Sequence, residues 1–207
     1  MKYLLIILTV FTFSCQSNQD NLNSLIKYKP RIKDTSFFGK LADSAISLTF
    51  QKVTYDPSYF VINYPNGDVP ADKGVCCDVI IRAYRKLGID LQTKVHEDMS
   101  ANFNQYPQKW GLSSTDKNID HRRVPNLMTF FRRSNAELPI TENENDYKPG
   151  DIICWLLPKD LTHIGIVIDS SADMQNRNLI VHNIGSGQVV ADCLFSYKII
   201  GHYRYKD

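Results

Sequence analysis

Apolar positions along this chain follow one rhythm before Asn145 and another after it. In the first part they recur at helical spacing. FFGKLADSAISL predicts a helix over 36–48, and the stripe Val79, Ala83, Leu87 predicts a second over 75–87 with Gly88 as its stop. Between these two lies TYDPSYFVINYPNGDVPADKG, whose Tyr, Pro, Asp and Gly content reads as an extended segment with turns. Two further helical patches, HEDMSANFNQY and VPNLMTFFRRS, flank the aromatic, basic loop KWGLSSTDKNIDHRR. After Asn145 the pattern changes to strands. KPGDIICWL is a Pro-Gly turn entering a strand, THIGIVIDS is a second strand, and NLIVHNIGSG is a third that ends in glycines. CLFSYKIIGHYRY supplies one or two more. Helices first and a run of antiparallel strands afterwards argue for an α+β fold rather than an alternating α/β one.

The extreme N-terminus departs from both rhythms. Met1-Lys2 precedes the apolar run YLLIILTVFTF, then Ser14-Cys15 and the polar stretch QSNQDNLNS. A short positive start, an apolar core and a small residue before a cut describe a secretory signal over 1–14, too short to span a bilayer as a helix. A cysteine directly after that small residue resembles the bacterial lipobox, although Thr12 and Phe13 depart from the usual residues. Cys15 is therefore the expected lipidation site, 15–35 a lipid-anchored polar tether, and 36–207 the folded domain. The expected location is exported, anchored in the bacterial cell envelope. With 207 residues the chain suits one domain, and a formal net charge of +2 points to no nucleic-acid partner.

Setting Cys15 aside leaves Cys76, Cys77, Cys154 and Cys193. Neighbouring cysteines do not bond to each other readily, so disulfides would require two crossed bridges, and a domain of this size does not need them. Free thiols are the preferred reading. A zinc site built from Cys76, Cys77, His163 and His182 fits poorly, because structural sites space their cysteines by two to four residues. No metal and no cofactor are expected. Cys76 and Cys77 both fall in the first turn of the second helix, where unpaired N–H groups and the helix dipole favour a thiolate. A nucleophilic thiol also needs an imidazole to take its proton and pass it to the leaving amine. His163 opens HIGIVI, where alternation puts His163, Gly165 and Val167 on one face, and Gly165 is expected to let a helix approach that face. His182, in IVHNIG, is placed to hold the far nitrogen of His163.

The order of cysteine at a helix start, PGDI, HIGIV and VHN resembles the NlpC-type cell-wall peptidases of the papain-like superfamily. More closely, GDVPADKGVC, DVIIRAYR, GIDLQ, VHEDM, NIDHRRVPNL, PGDI, HIGIV, VHNIG and GHYRY resemble the bacterial domain-of-unknown-function family 1287, over about three quarters of the chain. The resemblance implies a papain-like fold, with the cysteine-bearing helix packed on an antiparallel sheet and a helical insertion between them. It implies Cys76 as nucleophile, His163 as base and His182 as orienting residue. The helical stripe agrees, because Cys76 shares it with Val79, Ile80 and Ala83, whereas Cys77 is rotated by about 100° and is expected to point away. The NlpC-type Asp-Cys-Ser-Gly is replaced here by Val-Cys-Cys-Asp.

The implied activity is thiol-based amide hydrolysis, with the peptide part of peptidoglycan or another amide as substrate. A non-catalytic wall-binding lipoprotein on the same fold and a cysteine-dependent acyltransferase are the alternatives. Asp120, His121, Arg122 and Arg123 form a cluster that is either a salt-linked loop or an arginine fork for a substrate carboxylate. Asp68, Asp72 and Asp78 crowd the nucleophile region in sequence. Asp72 is the expected helix cap, and another of the three is a candidate to hold a substrate amine, with Asp72 and Asp78 counted among the candidate substrate-binding residues. Cys154, Cys193 and His202 read as structural, and His96 as solvated or hydrogen-bonded.

Overall fold

The computed structural model describes residues 34–171 and 178–207. The expected leader, the lipidation site Cys15 and nearly all of the tether therefore lie outside the described residues. Helix α1 (Phe37–Leu48) is capped by Ser36, whose hydroxyl accepts the Gly39 N–H at 3.2 Å. Helix α2 (Cys76–Arg85) carries the paired cysteines. Helix α3 (Leu91–Ala101) starts five residues ahead of the patch marked by HEDMSANFNQY, because the Asp90 side chain accepts the Gln92 N–H and caps it. Helix α4 (Val124–Arg133) closes the insertion. No described helix is long and apolar enough to cross a membrane.

Two short strands, β1 (Thr54–Tyr55) and β2 (Lys73–Gly74), pair in parallel within the segment read as extended. The main sheet consists of β3 (Ile152–Leu157), β4 (Leu161–Ser171), β5 (Asn178–His182), β6 (Val189–Ala191) and β7 (Lys198–Tyr203). Its strand order is β6-β5-β4-β3-β7, and every pairing in it is antiparallel. The α+β class and the cysteine-bearing helix on an antiparallel sheet are as expected. Strand β6, three residues long and half-buried throughout, has no apolar alternation to announce it.

Period-two alternation sorts the sheet into two faces. Ile152, Cys154, Ile164, Ile166, Ile168 and Val181 join the main core with α1, α2 and α4. Ile153, Trp155, Val167 and Ile180 join a second, smaller core with Tyr147 and Leu194. His163 and His182 alternate onto this second face, since His163 pairs with Trp155 and His182 with Gly165. The apolar stripe of α2 therefore packs against the opposite face from the histidines. The expected role for Gly165 is corrected too: a Cβ there would lie 2.7 Å from Ile180 Cγ2 and 3.2 Å from His182 Cβ. Its missing side chain makes room for strand β5, not for a helix.

Three buried polar links fix the start of α2. Asn183, at the end of β5, donates to the Gly74 carbonyl at 3.3 Å. Gln92 holds the Gly67 N–H and the Asn63 and Lys117 carbonyls, tying the insertion to the loop before α2. Asp78, in the first turn, accepts the Val75 N–H at 2.6 Å and both Arg122 Nε and Nη2, at 2.9 and 3.0 Å. The two side chains of this pair are 3% and 2% exposed, so each charge depends on the other. Asp78→Ala, which strands the Arg122 guanidinium, is expected to lower the unfolding free energy by about 3–5 kcal/mol in urea titrations. Replacing both partners with Leu and Met should cost less. A loss under about 1 kcal/mol in the single variant would mean that the pair is solvated.

Candidate active site

The chain approaches α2 in extended conformation, and Val75 stands at the cap position with no polar side chain to serve it. Asp78 reaches back from inside the helix to the Val75 N–H. Asp72, expected as the cap, is exposed on the preceding turn, where its carbonyl accepts the Thr54 N–H at 2.7 Å. The reason is distance along the chain: strand β2 separates Asp72 from the helix. Because Arg122 neutralises Asp78, the first turn keeps its electrostatic preference for an anion despite a carboxylate in it.

Cys76 is the first residue of α2 and only 6% exposed. The Cys77 thiol beside it is the largest influence on its ionisation, and with the His163 ring and the Ile164 backbone N–H it outweighs burial and holds the Cys76 thiol down at about 5. Burial and the adjacent Cys76 push Cys77 well above the ordinary thiol range, so it remains a protonated donor. The expectation that Cys77 points away is thus corrected. Both cysteines border the same cavity, and the second thiol supports the first. No disulfide joins any of the four described cysteines.

His163 Nε2 lies 2.8 Å from His182 Nδ1, and both rings are buried, at 4% and 5% exposure. The nitrogen left for Cys76 is therefore His163 Nδ1. Trp155, opposite His163 across the β3–β4 ladder, stacks on its ring with centroids 5.7 Å apart. The two histidines are diagonal neighbours across the β4–β5 ladder, with Gly165 opposite His182. Burial and the neighbouring His163 lower His182 to about 4, so it is neutral near pH 7. Its outer nitrogen faces Cys193 Sγ at 3.9 Å. The arrangement can generate a thiolate, hold a proton beside it, and fix the ring that carries that proton.

The cavity in front of Cys76 has a volume of about 440 Å³ and is walled by Tyr55, Trp110, Arg122, Arg123, Lys109 and Leu161, among others. Of the candidate binding residues, only Arg122 and Arg123 border it. The Arg122 fork is occupied by Asp78, and its ring neighbour is Phe60. Asp120 is buried, accepting the Asp116 N–H and pairing loosely with Arg123 at 3.4 Å. His121 is buried beside Arg122, which together with desolvation lowers it to about 3. Asp72, Asp78, Asp120 and His121 are thus remote from the cavity or committed to holding the framework. Arg123 lies over the Trp110 ring with its guanidinium carbon 4.1 Å from the centroid. Among the described residues, no group of three or more His, Cys, Asp or Glu side chains is arranged to hold a metal ion.

Sequence reading missed Tyr55, Trp155, Asn183 and Trp110 as parts of this site. Tyr55 has no periodic signal, because it sits in a two-residue strand that carries it beside Gly74. Burial and the neighbouring Cys76 raise its phenol, which keeps the hydroxyl a donor. Trp155 was visible only as a strand residue until pairing placed it against His163. His202, read as structural, bonds the Asp151 carboxylate and the Pro139 carbonyl, each at 2.9 Å. Iodoacetamide alkylation mapped by peptide mass spectrometry should label Cys76 at pH 6, with a rate midpoint near 5. Cys77 and Cys154, both raised by burial, should stay unmodified there. A Cys76 midpoint in the ordinary range near 8.5 would refute the thiolate.

NlpC1 from Trichomonas vaginalis is 17% identical with a TM-score of 0.42, covering 86% of this chain and 48% of its own, so this chain spans about half its length. An N-acetylmuramoyl-L-alanine amidase from Bacteroides uniformis is 14% identical with a TM-score of 0.49, covering 82% of this chain and 99% of its own. YijF of Escherichia coli (strain K12), an uncharacterized protein, is 50% identical over 165 residues, covering 80% of each chain. Residues 42–205 match the family described as Domain of unknown function (DUF1287), and the chain belongs to that family.

Proposed function

We propose that this protein is a thiol-dependent amide hydrolase acting on the peptide part of peptidoglycan, exported and held at the cell envelope by lipid on Cys15. The observation that carries the reading is a pair of buried histidines, bonded to each other at 2.8 Å, whose inner ring acts with the helix start on a buried cysteine and favours its thiolate. Cys76 Sγ attacks the amide carbonyl and forms a thioester. His163 Nδ1 delivers its proton to the leaving amine, which departs as the C–N bond breaks. A water molecule then gives a proton to His163 Nδ1 and attacks the thioester, releasing the carboxylic acid and restoring the thiolate. His182 keeps the His163 ring in position by accepting its Nε2–H. The Val75 N–H is committed to Asp78, so the Cys76 N–H and the Tyr55 hydroxyl are the donors for the tetrahedral oxyanion.

The cavity supports a substrate that carries a carboxylate. Lys109 and Arg123 border it, Arg123 is backed by an indole, and among the described residues that line it the one carboxylate is that of the exposed Asp160. Peptide stems of the cell wall present carboxylates beside their amide bonds, whereas a neutral peptide would leave the guanidinium unmatched.

The purified domain should be incubated with muramidase-digested peptidoglycan and new amine ends identified by mass spectrometry. Cys76→Ala is expected to abolish their appearance, and Cys77→Ala to slow it by about tenfold or less, since it removes a supporting hydrogen bond worth about 1 kcal/mol. Undiminished turnover by Cys76→Ala would overturn the mechanism. Arg123→Gln should raise KM by about tenfold, or 1.4 kcal/mol, for a stem bearing a free carboxylate and change it little for the carboxamide analogue. Equal effects on the two substrates would remove the carboxylate assignment.

A further inference from the structure

Beyond the three residues that resemblance and geometry bring together, a fourth side chain closes the hydrogen-bond chain. Cys193 lies in the turn between β6 and β7, partly buried against the second core, with its sulfur 3.9 Å from His182 Nε2. The turn is not free to drift. The next residue, Leu194, is fully buried, and its carbonyl accepts the Trp155 Nε1–H at 2.8 Å. The same indole stacks on His163. A closed circuit results, running from His163 to His182, to Cys193 and Leu194, and back through Trp155.

We infer that Cys193 is a positioning residue whose sulfur accepts the outer N–H of His182 and so selects the tautomer in which His182 accepts from His163. The inference rests on Cys76 and His163 as the reacting pair, but not on which amide is cleaved. A neutral imidazole has one donor and one acceptor nitrogen. When His163 holds the proton opposite the Cys76 thiolate, its Nε2–H must find an acceptor, and the only ring atom within reach is His182 Nδ1 at 2.8 Å. The proton of His182 then has to sit on Nε2, in a buried position where an unmatched N–H costs free energy. Cys193 Sγ is the group it meets. In the other tautomer His182 donates to His163 Nε2, and His163 cannot become doubly protonated without losing that bond. The sulfur thereby acts two hydrogen bonds away from the nucleophile it supports.

The titratable and charged groups near this chain include Cys77 and Asp78 on α2, Cys154 on β3, Tyr55 on β1, Arg122 from the insertion, and Asp192 next to Cys193 in sequence. The tautomer of His182 is therefore read directly, alongside the Cys76 midpoint. Two measurements test it in the full-length protein. Two-bond proton–nitrogen NMR correlations should show His182 protonated at Nε2 in the unaltered protein and a mixture of tautomers in Cys193→Val. Peptide-resolved alkylation should show the Cys76 midpoint raised by about one unit in Cys193→Val, which is about fivefold slower labelling at pH 5. Cys193→Ser, which restores an acceptor, should recover both readings. Urea unfolding separates these effects from lost packing, and Cys193→Ala takes the place of the valine variant if that one does not fold. His182 protonated at Nδ1 in the unaltered protein, or an apolar variant with unchanged tautomer and unchanged midpoint, would overturn the inference and leave the Cys76–His163 pair standing. An unaltered protein with no low midpoint at all would overturn the pair and the inference together.

Discussion

A thiolate in a nearly dry interior survives only beside groups that donate protons to it, and this requirement organises the region around Cys76. The groups that favour the anion on this sulfur are the Cys77 thiol, the His163 ring and the Ile164 N–H. Each donor comes from a different level of structure. Cys77 is the next residue in sequence, Ile164 is backbone exposed by the start of a strand, and His163 depends on sheet pairing. A shift of one residue in the register of β4 would send His163 to the main core and Ile164 to the second face. The isoleucine ladder Ile164, Ile166, Ile168 makes that slip costly, because it would drive three side chains of the main core into the smaller second core and turn His163 toward the main core in their place. Hydrophobic burial on one face of β4 thus sets the chemistry on the other.

Two of the buried carboxylates, Asp151 and Asp78, show how the same residue type is used in the framework. Asp151, in the Pro-Gly-Asp turn, caps its own turn at the Lys148 N–H and anchors His202 and Arg204 of the last strand region. Asp78 performs the matching task at the start of α2, with Arg122. His202 and His163 are both buried strand histidines, yet His202 ends on a carboxylate and a carbonyl, whereas His163 connects a thiol to a second imidazole. A histidine beside a fixed carboxylate is an anchor. One between a thiol and a neutral ring can pass a proton in either direction.

The insertion between α2 and β3 provides the far wall of the cavity. Its arginine pair divides the work: Arg122 is spent on Asp78, and Arg123 rests on Trp110 at the cavity that Cys76 borders. Adjacent residues on a short 3-10 turn and its end face different directions, so a cluster that reads as one feature in sequence separates into a buried strut and a cavity wall.

Much of this was legible from the chain alone, because local rules were enough. Helical and strand periodicities located the four helices and the long strands, and the ordered appearance of cysteine, PGDI, HIGIV and VHN singled out Cys76, His163 and His182. Alternation also put His163 and Gly165 on one face correctly. Other features depended on partners distant in sequence and had no local signature. Only strand pairing could put His182 diagonally from His163 and Trp155 against its ring, and make the gap at Gly165 a seat for β5. Only the packing of the insertion could bury Asp78, Asp120 and His121 while leaving Arg123 at the cavity. Periodicity reports which face a residue shares with its neighbours along the chain. What stands opposite that face is decided by long-range contacts, whose free energy is gained only when the whole sheet and its helices close together.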